Sequence, residues 1–335
     1  MPLDHVHLRN LLADPNTPIP LQIDGVDAVI DGVPQEGETT VKARITFKHS
    51  PMPYALVPGG WLPMPFVSPQ RFLVDRNVVS TLRSIRDHGA RSDQAAFSWW
   101  TAIFDGGTGM FNPLPYAYEG SARRMPTLDE FVSSYKKGSM ELSRSFPRAQ
   151  VIQYDDVHFA AAYDQLLALE DRTKRDASFV AESIPLVLNR VARGKEASTL
   201  KQILATAERA GVIRNAPVVL AVLSVLFEDV HGREASIGRL LLKPTKEYDI
   251  GDAYNAVNDL RHMELAALGH GIFGHEPFAL CTNDRAMALF WCALSIRGES
   301  TEETLLNFHY TLTRELLPRL SDEQLADLSE QLNDA

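Results

Sequence analysis

Cysteine is nearly absent from this chain: Cys281 and Cys292 are the only two in 335 residues. Two thiols cannot build a disulfide framework, and their scarcity points to a reducing cytoplasm. A long hydrophobic run is missing as well. The longest near-continuous one, "APVVLAVLSVLF" at 216–227, falls short of the roughly 20 residues that a bilayer-spanning helix needs. It reads as a buried core helix, and no membrane association is expected. No basic start followed by an apolar stretch marks a secretory signal. Positive charge is in deficit, with 33 Lys and Arg against 43 Asp and Glu and a formal net charge of −10. That balance counts against a protein that coats nucleic acid, because phosphate affinity comes chiefly from Lys and Arg. It does not exclude an acidic enzyme acting on RNA, whose metal-binding carboxylates would add negative charge themselves. His5, His7, His270 and His275 show no metal-ligand spacing.

What is present divides by periodicity. In "TTVKARITFKHS", Val41, Ala43, Ile45 and Phe47 alternate with Lys42, Arg44, Thr46 and Lys48, the period of a half-buried strand. "QIDGVDAVIDG" before it has strand character too, so residues 1–69 are expected to form a β-rich N-terminal segment. Its end, the Pro- and Gly-rich "VPGGWLPMPFVSP" at 57–69, reads as a boundary. From Phe72 the pattern changes. Phe72, Leu73 and Val74 predict a short buried strand, and Val78, Val79, Leu82 and Ile85 one face of a helix that Gly89 can end. A strand feeding directly into a helix opens an α/β unit.

Residues 151–249 are almost wholly helical by pattern, with about four helices and no strand signal of comparable strength. After 250 the α/β pattern returns: a helix in "DAYNAVNDLRHMELAALG", a strand in "FALC" (278–281) and a helix in "RAMALFWCALSI" (285–296). Residues 299–335 should hold two closing helices, announced by the capping-box pairs Ser300 with Glu303 and Ser321 with Gln324.

Carboxylates sit where these elements end. Asp75 closes the first buried strand, and Asp284 lies just past "FALC" in "FALCTNDRA". If both strands run parallel, the two acids share the functional edge of an open sheet. Asp259 lies in the preceding helix, on a polar stripe with Asp252, Asn255 and His262, opposite Ala253, Ala256, Val257, Leu260 and Met263. Glu119 follows a Gly- and Pro-containing stretch in "FNPLPYAYEGSARR". Carboxylates brought together raise one another's pKa. Hard divalent cations such as Mg²⁺ or Mn²⁺ relieve that repulsion, activate water and neutralise the leaving oxygen of a phosphodiester.

"FLVDRNVVSTL" (72–82) resembles the first motif of PIN-like domain nucleases, a strand ending in Asp with Asn two positions on. "FALCTNDRAMALF" resembles their last motif, and "NDLRHMELAALG" the helix before it. The resemblance covers 70–150 and 250–298. It implies a three-layer α/β fold with a central parallel sheet, split by a helical insertion at 151–249. It further implies Asp75, Glu119, Asp259 and Asp284 as the metal-site acids, with Glu182 in "SFVAESIPLVL" the second choice for the Glu. Asn77 would help orient Asp75, and Thr282 and Asn283 would shape the loop presenting Asp284. The expected activity is a Mg²⁺- or Mn²⁺-dependent endonuclease, acting on RNA with DNA as the alternative, as toxins and defence effectors of this type do. Two departures stand out: the helical insertion is far longer than in compact members, and residues 1–70 match nothing in the family.

Plainer readings compete at every position. Asp75 can be a helix N-cap, and Asp259 a solvated helix residue. His262 can be a structural hydrogen-bonding residue or a catalytic one. Trp99 and Trp100 read as core. Residues 121–148 hold Arg123, Arg124, Lys136, Lys137, Arg144 and Arg148 against Asp129, Glu130 and Glu141, a solvated face or, at Arg123 and Arg124, a contact to substrate phosphates. The competing functional class is a catalytically inactive interaction protein that binds a protein partner through the helical insertion. Self-association is also open.

Overall fold

The computed structural model describes residues 21–23, 26–30, 43–47, 53–57, 60–64, 71–89, 97, 109–120, 123–229, 235–272, 278–294, 297–298 and 308–333. Side chains at 1–50, 270–278 and 297–309 are not described. Trp99, Trp100, Ser300 and Glu303 lie outside the described residues.

The chain forms two units, Met1–Pro51 and Met52–Ala335. In the first, β1 (Leu21–Ile23), β2 (Val26–Ile30) and β3 (Ala43–Phe47) make an antiparallel three-stranded sheet in the order β1-β2-β3.

The second unit is built on a mixed six-stranded sheet. Its strands are β4 (Tyr54–Val57), β5 (Gly60–Pro63), β6 (Arg71–Val74), β7 (Met110–Asn112), β8 (Gln150–Val151) and β9 (Phe278–Thr282). The spatial order is β5-β4-β9-β6-β7-β8. β9, β6, β7 and β8 pair in parallel, whereas β4 pairs antiparallel with both β5 and β9. The expected central parallel sheet is therefore corrected to a four-strand parallel run extended by an antiparallel hairpin. The boundary at 57–69 is corrected with it: β4 and β5 belong to the sheet, and the break falls after Pro51. The apolar "YALV" explains the difference. Ala55 and Leu56 are fully buried, and the Val57 carbonyl accepts a 2.8 Å hydrogen bond from Trp291 Nε1. Four apolar residues are easily masked by the Pro and Gly around them.

The alternation of the strands sends their side chains to two separate cores. Phe72, Val74, Ala279 and Cys281 pack with α1 (Arg76–His88) and the end of α3 (Leu128–Ser145), through Val78, Val79, Leu82, Leu142 and Phe146. Leu73 and Leu280 face the opposite, larger core. That core takes in α2 (Leu114–Glu119), α4 (Asp156–Ala168), α5 (Glu170–Val187), α6 (Glu196–Ala210), α7 (Pro217–Leu226), α8 (Ile237–Leu242), α9 (Ile250–Ile272) and α10 (Arg285–Leu294). The helices of 151–249 thus share one continuous core with the sheet. α7, the long apolar run, is buried at every position from Val218 to Leu226. Gly238 lets α8 ride directly on it, because a Cβ there would meet the Ala221 carbonyl oxygen at 2.1 Å. β10 (Arg297–Gly298) and β11 (Phe308–His309) form a small antiparallel pair. α11 (Asp322–Asn333) closes the chain with the anticipated Ser321–Gln324 capping box. No described helix is long and apolar enough to cross a membrane.

Candidate functional site

β6 and β9 run side by side with Val74 opposite Cys281. The Asp75 N–H continues the ladder by donating to the Cys281 carbonyl at 3.0 Å. The residues that follow each strand therefore meet at one edge. Asp75 is 1% exposed. Its Oδ1 accepts from the Arg76 N–H at 2.7 Å, and its Oδ2 from Asn77 Nδ2 at 2.7 Å and Thr282 Oγ1 at 2.9 Å. Asn77 also takes the Asn283 N–H on its Oδ1 at 2.8 Å, and Asn283 Nδ2 reaches Thr81 Oγ1 at 3.1 Å. Thr282 Oγ1 accepts the Asp284 N–H at 3.0 Å. Five side chains from the two strand ends and α1 are locked to one another, which fixes the position of Asp75.

Asp284 uses Oδ1 to cap α10, accepting from the N–H groups of Ala286 at 2.7 Å and Met287 at 3.2 Å. Its Oδ2 lies 3.6 Å from Lys243 Nζ. Both strand-end acids therefore serve as N-caps, the plain role weighed for Asp75. The cap accounts for one oxygen of Asp284; the other is turned to a cation. Glu119 ends α2 at Gly120, whose φ of 64° turns the chain away. Its Oε2 lies 3.5 Å from Arg76 Nε. Asp259 is half-buried on α9. One turn on, His262 is 1% exposed, with Nδ1 3.5 Å from Asp75 Oδ1 and neither ring nitrogen in a hydrogen bond among the described residues.

These acids influence one another's ionisation. Burial opposes ionisation of Asp75, but the His262 imidazole, the Thr282 hydroxyl and the Arg76 N–H outweigh it, and the carboxyl sits below its ordinary range. The others respond to the charge so fixed. Burial and then the Asp75 charge push Glu119 up to about 7. Burial, then Asp75, Asp284 and Glu119, push Asp259 well above the usual carboxylate range.

The donor type is right for a hard divalent cation: carboxylate oxygens, with an orphaned buried imidazole beside them. Among the described residues no three His, Cys, Asp or Glu side chains converge on one point. The fit is one of donor chemistry and charge, without a closed coordination shell.

Other expected residues fall elsewhere. Glu182 is exposed on α5 and pairs with Arg209 at 3.2 Å. Arg123 donates to Asp252 at 2.9 Å, and Arg124 binds Glu130 through two hydrogen bonds at 2.8 and 3.0 Å. Those two arginines are already engaged by neighbouring acids. Arg76 and Lys243 were not singled out from sequence. Arg76 lies inside the first motif, next to its Asp, and adjacency was a usable signal. Lys243 reaches the edge only because α8 docks on α7, and no local pattern announces that.

Comparison of the chain with protein-family models, with curated proteins and with solved structures gives no match.

Proposed function

We propose that this chain is a divalent-metal-dependent endonuclease of PIN-like type, cleaving RNA in preference to DNA by attack of water. One observation carries the reading: Asp75, buried and locked by Asn77 and Thr282, ends one of two adjacent parallel strands while Asp284 follows the other, and the Asp75 charge, after burial, raises the carboxyls of Glu119 and Asp259. Carboxyls raised by burial and by one another's charge would be relieved by a positive ligand. Asp75 and Asp284 would be the principal ligands of Mg²⁺ or Mn²⁺, with Asp259 and Glu119 completing the site directly or through water. When bound, such an ion makes water nucleophilic near neutral pH and neutralises a leaving oxygen. The chain's own residues supply the positioning. Asn77 and Thr282 hold Oδ2 of Asp75, Asn283 ties both strand ends to Thr81, and the α10 cap orients the free oxygen of Asp284. Cys281 and Cys292 are free thiols, which suits a reducing cytoplasm.

The deciding experiment is calorimetric titration with Mn²⁺ of the wild type and of Asp75→Asn, followed by incubation of both with labelled single-stranded RNA and DNA of one sequence. Binding and cleavage lost together in the variant support the nuclease. A folded wild type that takes up no metal and cuts neither strand overturns it.

The capping roles of Asp75 and Asp284 favour a second reading, a catalytically inactive interaction protein. An open groove of about 560 Å³, lined by Leu128, Val132, Lys136 and Phe159 between α3 and α4, offers such a protein a contact surface. On that reading Asp284→Asn leaves the protein's effect in cells unchanged.

A further inference from the structure

The acid edge carries two cations of its own, Arg76 beside Glu119 and Lys243 beside Asp284. Some arginines elsewhere pair with carboxylates at hydrogen-bond distance, Arg124 with Glu130 at 2.8 Å, Arg123 with Asp252 at 2.9 Å and Arg239 with Glu228 at 2.7 Å. Others stand farther off, Arg190 at 3.7 Å from Glu228 and Arg214 at 4.0 Å from Glu208. At the edge, Arg76 stands 3.5 Å from Glu119 and Lys243 3.6 Å from Asp284, both too long for a good hydrogen bond. Arg76 is held mainly by Tyr116, whose carbonyl accepts from its Nη2 at 3.4 Å, whereas Lys243 lies beside Asp284 on an exposed side chain.

Both are delivered there by rigid backbone. Arg76 opens α1 directly after the locked Asp75, and its guanidinium lies 4.6 Å over the Tyr116 ring. Its Nε is buried without a hydrogen-bond partner among the described residues. Lys243 caps α8 in a left-handed conformation, φ 50° and ψ 53°, with its N–H donating to the Arg239 carbonyl at 3.0 Å. That conformation is strained for a residue with a Cβ. The glycine contact of α8 on α7 places it, and a 70% exposed side chain leaves the ammonium free to swing.

We propose that Arg76 and Lys243 form the phosphate clamp of this site, resting against Glu119 and Asp284 until those carboxylates are taken up by a divalent ion. The proposal rests on the nuclease reading above and deepens it by naming the substrate contact as the sugar–phosphate backbone of a single strand. Once Glu119 and Asp284 are engaged, the two cations lose their counter-charges beside the reacting phosphate. The planar guanidinium suits two phosphate oxygens at once, and the ammonium acts as a mobile point charge. Arg123 and Arg124, held by Asp252 and Glu130, take no part.

The test is binding of a fluorescein-labelled single-stranded RNA across a salt series, with Ca²⁺ replacing Mg²⁺ so that binding is read without cleavage. The proteins are wild type, Lys243→Met, Lys243→Arg and Arg76→Gln. Lys243→Met should bind about 5-fold more weakly and flatten the slope of log K against log salt by about 0.7, one phosphate contact on a single strand. Lys243→Arg should restore the slope. Arg76→Gln should flatten it by a similar amount, and Lys243→Met, at an exposed position, keeps the test valid if Arg76→Gln fails to fold. A Lys243→Met slope equal to that of wild type overturns the clamp and leaves the nuclease reading standing. A wild type that binds no RNA with either ion overturns both.

Discussion

Two clusters of buried charge lie on the same helix, α9, and they are built on opposite plans. On one side, Arg261 and Glu264 of α9 interlock with Arg172 and Asp176 of α5: Arg172 meets Glu264 at 2.6 Å, and Arg261 binds both Asp176 and Glu264. Two cations balance two anions, and all four side chains lie mostly out of water. Burial still lifts Asp176 to about 6 with Arg261 and Arg172 beside it, which leaves it ionised at neutral pH. On the other side, Asp259 joins Asp75, Glu119 and Asp284, and the nearest cationic groups stand 3.5 or 3.6 Å off. The first cluster is complete in itself and pins α5 to α9. The second is not closed in this way: burial and neighbouring charge push Glu119 up to about 7 and Asp259 well above the usual carboxylate range, toward their neutral forms.

The sharpest way to break that contrast is Arg261→Met. Removing one cation from the closed cluster leaves buried acids uncompensated and should cost about 3–5 kcal/mol, read as a shift in urea midpoint. A loss under about 1 kcal/mol would mean the cluster tolerates charge imbalance as readily as the acid edge does. Asp284→Asn sharpens the other side. Asn caps helices as well as Asp does, so stability should move by only a few tenths of a kcal/mol. RNA cleavage should nevertheless fall on the order of 100-fold or more. Unchanged cleavage beside measurable wild-type activity would reduce Asp284 to a cap.

A smaller effect is expected from Glu119. Its folded pKa, about 7, lies above its ordinary value of 4.5. Its contribution to stability is therefore fully present below about 4.5 and lost as pH rises through about 7. Glu119→Gln should remove this slope and stand on the order of 2 kcal/mol above wild type at pH 8, read from unfolding midpoints between pH 4 and 8. Parallel pH curves for the two proteins would refute the raised carboxyl. The smallest effect is at Lys243. Lys243→Gly relieves the left-handed cap and should stabilise the protein by about 1 kcal/mol while weakening RNA binding. A gain in both would contradict a trade of backbone comfort for a placed cation.

Much of the architecture was legible because it is local. Phe72–Val74 and Phe278–Cys281 are continuous apolar runs, Val78, Val79 and Leu82 mark a helix face, and the Ser321 box announces α11. β7 and β8 were not read, since strands of three and two residues carry too little pattern to separate from loop. The β4–β5 hairpin was hidden by Pro and Gly, although its burial against β9 overrides their local preference. At the site, Asp75, Asn77, Thr282, Asn283 and Asp284 were visible as strand-end residues. His262 was visible only as one member of a polar stripe, and its facing of Asp75 depends on how α9 lies on the sheet.

By itself, the sequence determined which residues could pair as strands, which faces helices would bury and which acids would stand at strand ends. These follow from periods of 2 and 3.6 along one chain. Tertiary structure alone decided which charges meet. It set Arg76 against Glu119, Lys243 against Asp284 and His262 against Asp75, and it enclosed Arg261 among close partners while the pairs at the acid edge stand at 3.5 to 3.6 Å. Coulomb interactions depend on distance and burial, and neither is encoded in local spacing.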